Sequence, residues 1–365
     1  MYSRAVPRSN PAPETPGGVP APADARVQTV IERYRTEIVN ALLAALEDRH
    51  EPPYAQMRYH LGWQDREGRP IEGRSGKLLR PALCLLACEA VGGDWRRALP
   101  AAAAIELLHN FTLIHDDVED DSEERHGRAT LWTIWGRDQA INVGDGMFAL
   151  AHVTILGLQE QGYAPPQTLR AVQMLDAATL HLCEGQQADL ALPQESGTTR
   201  EAYLQMIEGK TAALLAACAG IGALLGGGSD ETVAALTEFG RRLGFAFQIQ
   251  DDVLGIWGDT AMTGKPVDDD LRARKRSYPI VIALERGSPD VRRTLQGFLA
   301  KEALDEADIA GVCALLEELG AREESERTAR GHAQAAIASL AGLQLQDEHR
   351  AELTALAQFA VDRRA

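Results

Sequence analysis

Apolar residues recur at steps of three and four from Val27 onward. Val27, Val30, Ile31, Tyr34, Ile38, Ala41 and Leu42 fall on one face of a helical period. Similar stripes run through 78–91, 98–117, 139–160, 166–185, 200–225, 231–257 and 277–285, and through the C-terminal third. Asn-Gly turns and alternating Val/Thr runs, which announce hairpins, are missing. No self-similarity appears at the roughly 20–50-residue periods of repeat proteins. Alanine is abundant and aromatic residues make up only 5% of the chain, a mixture that favours close helix–helix packing over strands. The pattern predicts an all-α protein, one large helical domain over residues 26–365.

The segment before it has another character. Residues 1–25 hold six of the seventeen prolines among Ala, Gly and Ser, cannot bury a core, and are expected to form a disordered tail. The longest uncharged stretch, Thr211 to Ser229, loses its apolar character at Leu225 and ends in three glycines. It is too short to span a bilayer comfortably and is expected to be a buried core helix. The N-terminus lacks the apolar core of a secretory signal. The five cysteines (Cys84, Cys88, Cys183, Cys218, Cys313) form no CxxC pair. Buried free thiols and a cytoplasmic location are the expectation.

Charge narrows the function. The 365 residues carry 37 Lys+Arg against 53 Asp+Glu, a formal net charge of −16. That balance weighs against a nucleic-acid binder and against docking on an anionic membrane. It does not exclude small anions, provided that metal ions or local cations mediate. Thirteen of the 53 acids lie in two short regions, seven in 116–124 and six in 251–270.

In the first region Asp116 and Asp120 are four apart, so on a helix both carboxylates leave one face a turn apart, with Asp117 beside them. Such a pair is costly to bury unless a cation sits between, and Mg²⁺ is the obvious one. In the second, Gly244, Gln248 and Asp251/Asp252 share the end of a hydrophobic helix. Two helices that aim carboxylates at a common cleft are what a multi-metal clamp for a phosphorylated substrate requires. Basic residues flank both patches: Lys77 and Arg80 after Gly76, then Arg125 and Arg128, then Lys265, Arg272, Arg274, Lys275 and Arg276. In an acidic chain this placement points to anion recognition.

With these residues the chain resembles the trans-isoprenyl diphosphate synthases, or polyprenyl synthetases. The resemblance rests on Gly76-Lys77-Leu78-Leu79-Arg80-Pro81, the run from His109 to Asp120, Arg125 with Gly127, and Gly185-Gln186-Gln187-Ala188-Asp189-Leu190. It continues through Lys210-Thr211-Ala212, Phe247-Gln248-Ile249-Gln250-Asp251-Asp252, Gly264-Lys265-Pro266, Asp270-Leu271 and Lys275. It implies a single all-α helical bundle with a deep central cavity, homodimeric, that joins isopentenyl diphosphate to an allylic diphosphate. Asp116, Asp120 and Asp251 would hold about three Mg²⁺ ions on the allylic diphosphate. Asp117 and Asp252 would support them, and Arg125, Lys210, Gln248, Lys265 and Lys275 would contact the same diphosphate. Gly76, Lys77, Arg80, His109, Arg125, His126 and Thr211 would complete the substrate sites. The departing diphosphate itself would take the final proton, so no nucleophilic side chain is needed.

Two departures stand out. Position 255 is Gly where the family usually repeats an acid, so one supporting carboxylate is expected to be missing, with Asp259 too far round the helix to replace it. Position 126 is His where the family usually has a second Arg, a weaker and pH-dependent donor. Below Asp116, Thr112 and Leu108 lie one and two turns down the helix, with Phe111 to one side. A bulky aromatic there commonly stops chain growth in the family. The expected product is geranylgeranyl diphosphate (C20), with farnesyl diphosphate (C15) next. A class I terpene cyclase and a regulatory subunit of a heteromeric synthase remain alternatives.

Overall fold

A computed structural model describes residues 23–71, 76–192, 198–258, 269–301 and 303–363. Helix α1 (Ala23–Leu46) opens three residues before the boundary drawn from the prolines; the Pro-rich residues 1–22 lie outside the described residues, as do Asp259 and Lys265. The helices α2 (Pro52–His60), α3 (Leu79–Ala90) and α4 (Leu99–Glu119) follow, with α5 (Leu131–Trp135), α6 (Arg137–Leu156), α7 (Pro165–Ala191) and α8 (Arg200–Ile207) after them. A π-helical turn at Glu208–Ala212 leads into α9 (Ala213–Leu225), and α10 (Asp230–Trp257) ends the central set. The remainder is α11 (Asp269–Arg272), α12 (Tyr278–Arg286), α13 (Pro289–Leu299), α14 (Glu306–Glu318), α15 (Ala321–Ser339) and α16 (Asp347–Asp362).

Helix α9 is the axis of the bundle. Every residue from Leu214 to Leu225 is buried, because α3, α7 and α10 pack around it. It is the apolar part of the one helical stretch among the described residues, Arg200–Leu225, that is long and apolar enough to cross a membrane, and 83% of that stretch's apolar window is buried inside the protein. It ends at Leu225, where Gly226 caps it and Gly227 turns the chain at positive φ. Helix α4 packs against α6, α3 and α1. A second apolar cluster, built from Tyr203, Phe245, Ile249, Ile256, Tyr278, Ile280 and Leu316, is joined to the main core through α10.

Two local features depart from the helical reading. Residues 200–225 do not form one regular helix, because the π turn interrupts them. Its Gly209 lies so close to α7 that a Cβ there would stand 2.4 Å from the carbonyl oxygen of His181, and one on Gly185 would stand 2.2 Å from Lys210 N. Only glycine pairs let the two backbones meet this closely. The second feature is a hairpin after α4, with Glu124–Arg125 antiparallel to Arg128–Ala129. His126 and Gly127, both at positive φ, form its two-residue turn.

Candidate active site

The last turns of α4 carry the first acidic patch. Asp117 is buried and spent inside the protein: Arg125 donates to its Oδ1 from Nε at 2.9 Å and from Nη2 at 2.8 Å. Burial still holds its carboxyl above the usual range, against the pull of Arg125. Asp116 faces the cleft and has three cationic or amide neighbours. Gln186 Nε2 is 3.0 Å away, Lys210 Nζ 3.4 Å and Arg125 Nη2 3.9 Å. Asp120 caps the helix, and burial, then the charge of Asp116, raises its carboxyl.

Lys210 reaches this patch because the π turn swings it off the regular helix. Its ammonium lies 2.5 Å from Asp189, on the last turns of α7. The close Gly185–Gly209 crossing thus brings Gln186, Asp189 and Lys210 to the same acids.

The second patch, at the end of α10, divides its labour differently from the sequence expectation. Asp252 is fully buried and saturated. It accepts from the Tyr203 hydroxyl, from Tyr278 N at 2.7 Å and from Gln248 Nε2 at 3.1 Å, and Lys275 Nζ is 3.5 Å away. Asp251 is 42% exposed and pairs with Arg363 at 2.7 Å. Thr211 is buried and donates to Gln248 Oε1 at 2.8 Å, so it orients Gln248 rather than opening toward the cleft. Of the four basic residues Arg272, Arg274, Lys275 and Arg276, Lys275 reaches an acid of this patch. Arg272 pairs with Glu306, Arg274 donates to the Lys301 carbonyl and Arg276 to Thr198.

A third group lies at the start of α3. Arg80 Nη1 is 3.2 Å from His109 Nε2, and Arg80 Nε is buried with no partner among the described residues. An unpaired buried guanidinium N–H is costly unless a ligand accepts from it. Burial, reinforced by Arg80 and Arg125, keeps the His109 ring well below its ordinary pKa, hence neutral. Sequence reasoning missed His60, which burial, then Arg125 and Arg128, push down to about 3. Gly76 and Lys77 are exposed, as is His126 at the hairpin tip. Arg128 serves the fold instead, donating to the Tyr59 and Gln64 carbonyls over the Tyr59 ring.

Leu108 is buried in the core, Thr112 donates to the His109 carbonyl at 2.7 Å, and the Phe111 ring packs against Phe148 at 5.3 Å and His115 at 5.0 Å. Among the described residues no three His, Cys, Asp or Glu side chains converge closely enough to hold an ion as they stand. The donor chemistry nevertheless suits a hard cation with bound diphosphate. Asp116 and Asp251 offer oxygen ligands, each now facing a protein cation that an ion would replace.

The polyprenyl synthetase family model matches residues 69–316. The chain is a member of the polyprenyl synthetase family. This polyprenyl synthetase is 40% identical over 334 residues to a (2E,6E)-farnesyl diphosphate synthase of Mycobacterium tuberculosis, covering 90% of this chain and 91% of the relative. It is 41% identical over 324 residues to a geranylgeranyl diphosphate synthase of the same organism, covering 89% and 91%. Among solved structures it is similar to a polyprenyl synthetase from Streptomyces coelicolor A3(2), with 40% identity, a TM-score of 0.86 and coverage of 92% and 99%. A geranylgeranyl pyrophosphate synthetase from Pyrococcus horikoshii gives 32%, 0.83, 93% and 99%. The all-α isoprenoid synthase fold expected from the sequence is the one observed.

Proposed function

We propose that this polyprenyl synthetase is a Mg²⁺-dependent trans-prenyltransferase whose main product is geranylgeranyl diphosphate (C20). One observation carries the reading: the ends of α4 and α10 present carboxylates that are interleaved with Lys210, Arg125 and Lys275. Bound Mg²⁺, held by Asp116, Asp120 and Asp251, would neutralise the diphosphate as it leaves. Lys210, Arg125, Lys275 and Gln248 bind and orient that diphosphate, with Lys265 as a further contact. Asp117 holds Arg125, and Asp252 holds Gln248 and Lys275. Arg80, Lys77, His109 and His126, with Gly76, receive isopentenyl diphosphate, and the unpaired Arg80 Nε supplies one donor. Apolar helix faces below α4 keep water from the allylic cation.

A second reading, C15, is favoured by the Phe111–Phe148 contact, an aromatic pair between α6 and the helix of Asp116 that would floor the pocket. The family names of the two mycobacterial relatives support both lengths.

A homodimer is the further part of this proposal. Helices α6 and α7 expose Ile141, Val153 (57%), Leu156, Leu169 and Leu180 (65%), an apolar face that a second copy would cover. The five free cysteines support a reducing, cytoplasmic setting. Incubating the purified chain with labelled isopentenyl diphosphate and each allylic starter, with and without Mg²⁺, tests the activity. Mg²⁺-dependent C20 is expected; C15 alone selects the second reading. No coupling, or a cyclic hydrocarbon released from geranylgeranyl diphosphate alone, overturns both.

A further inference from the structure

The hairpin after α4 sets two arginines directly opposite each other: Arg125 on one strand pairs with Arg128 on the other. Like charges at facing strand positions repel, and each strand is only two residues long, so each arginine needs an anchor of its own. The anchors lie on different elements. Arg125 reaches Asp117 on α4 with two donors, and its Nη2 is 3.9 Å from Asp116. Arg128 turns to the end of α2. Its Nη1 donates to the Tyr59 carbonyl at 2.8 Å and its Nη2 to the Gln64 carbonyl at 2.9 Å, while the guanidinium covers the Tyr59 ring at 4.1 Å. Tyr59 returns a hydrogen bond from its hydroxyl to the Ala129 carbonyl at 2.8 Å. Tyr59 is itself fixed, buried and edge-on to Trp135 at 5.1 Å. The base of the hairpin is closed by Thr130, whose N donates to the Glu123 carbonyl at 2.9 Å. His126 and Gly127 join the strands in a tight turn, so a displacement of Arg128–Ala129 carries Arg125 with it.

We propose that Tyr59 and Arg128 form a clamp that sets the Arg125 guanidinium for the allylic diphosphate. Both are positioning residues that act through Arg125. The inference rests on the Mg²⁺-dependent diphosphate reading above. Without the clamp the second strand loses these ties to α2, and Arg125 has to be ordered at the moment the diphosphate binds, an entropy cost that a preorganised donor avoids. The planar fork of Arg128 suits the task, because one guanidinium spans two carbonyls and lies flat on a ring, which an ammonium does not.

The test is calorimetric binding of inorganic pyrophosphate to the full chain in excess Mg²⁺, run as a double-mutant cycle, with melting temperature alongside. Arg128→Lys keeps the charge and loses the fork, and is expected to weaken binding about tenfold; Tyr59→Phe removes only the hydroxyl and should weaken it about threefold. In an Arg125→Gln chain, already weakened, neither substitution costs more than about twofold further, because the group they position is gone. Wild-type affinity in both Arg128→Lys and Tyr59→Phe overturns the proposal, since the charge at 128 then suffices. So does the same fold-loss with and without Arg125, which marks a general loosening of the fold. An Arg125→Gln chain that binds as tightly as the original overturns it as well. If the unaltered chain binds no pyrophosphate in Mg²⁺, the reading of the whole site fails and the clamp with it, a result distinct from a site that binds normally and ignores Tyr59 and Arg128.

Discussion

Arg363 closes on Asp251: its Nη2 is 2.7 Å from Asp251 Oδ1, and its guanidinium lies over the Phe247 ring at 3.7 Å. The same group donates to the Phe247 carbonyl at 2.7 Å and is only 5% exposed. A buried cation therefore holds the carboxylate that Mg²⁺ would use. The two compete for one ligand, and whichever leaves must be compensated. Arg363→Gln should lower the Mg²⁺ concentration needed for pyrophosphate-dependent thermal stabilisation by about three- to tenfold, or roughly 1 kcal/mol. It should also cost a few degrees of melting temperature without Mg²⁺, since the stacking on Phe247 is lost. A metal midpoint that does not move would mean that Arg363 and the ion do not compete.

Asp252 anchors the second patch from inside. Asp252→Ala leaves the Tyr203 hydroxyl, Tyr278 N and Lys275 without their acceptor. Urea unfolding should show a loss of about 3 kcal/mol, whereas Tyr203→Phe should lose about 1–2 kcal/mol.

Phe111 packs against Phe148 at the proposed floor of the pocket. Phe111→Ala opens that floor, and the labelled product distribution should shift to longer chains, with turnover of isopentenyl diphosphate largely kept. An unchanged spectrum would remove Phe111 from the floor of the pocket.

The apolar face of α6 and α7 predicts the oligomer. Val153→Glu with Leu180→Glu should convert a dimer into a monomer in light scattering behind size exclusion, because charges buried in an interface cannot be paired there.

His332 stacks on Phe245 at 4.7 Å, and burial, then Arg242 and Arg241, push it down to about 4. Between that value and the ordinary pKa of about 6.5 the unfolded chain binds a proton that the folded chain does not. Stability therefore falls as pH drops through this window, and His60, pushed down to about 3, adds to the same slope. His332→Gln should narrow the difference in melting temperature between pH 7 and pH 5 by roughly 2 °C.

Much of this was legible beforehand. The stripe at 98–117 became α4 and the stripe at 231–257 became α10, each within two residues at either end, because helical periodicity is a property of neighbouring residues. Asp116 and Asp120 share a face for the same reason. The hairpin after α4 was missed, since His126-Gly127 is a less common turn pair than Asn-Gly, although the glycine was the available signal. Thr211 is read from the resemblance as a substrate residue and Arg128 as one of the cations beside the first patch, but their hydrogen bonds go to Gln248 and to backbone carbonyls, partners that no local pattern reveals.

By itself the sequence determined the all-α class, the two acidic helix ends and the cations beside them, since each depends on spacing within one element. Only the tertiary structure decided which carboxylates remain available. It buried Asp117 under Arg125, saturated Asp252 with Tyr203 and Tyr278, and set Arg363 on Asp251. The physical reason is that a carboxylate's capacity to bind an ion depends on what else it already accepts from, and those donors arrive from elements distant along the chain.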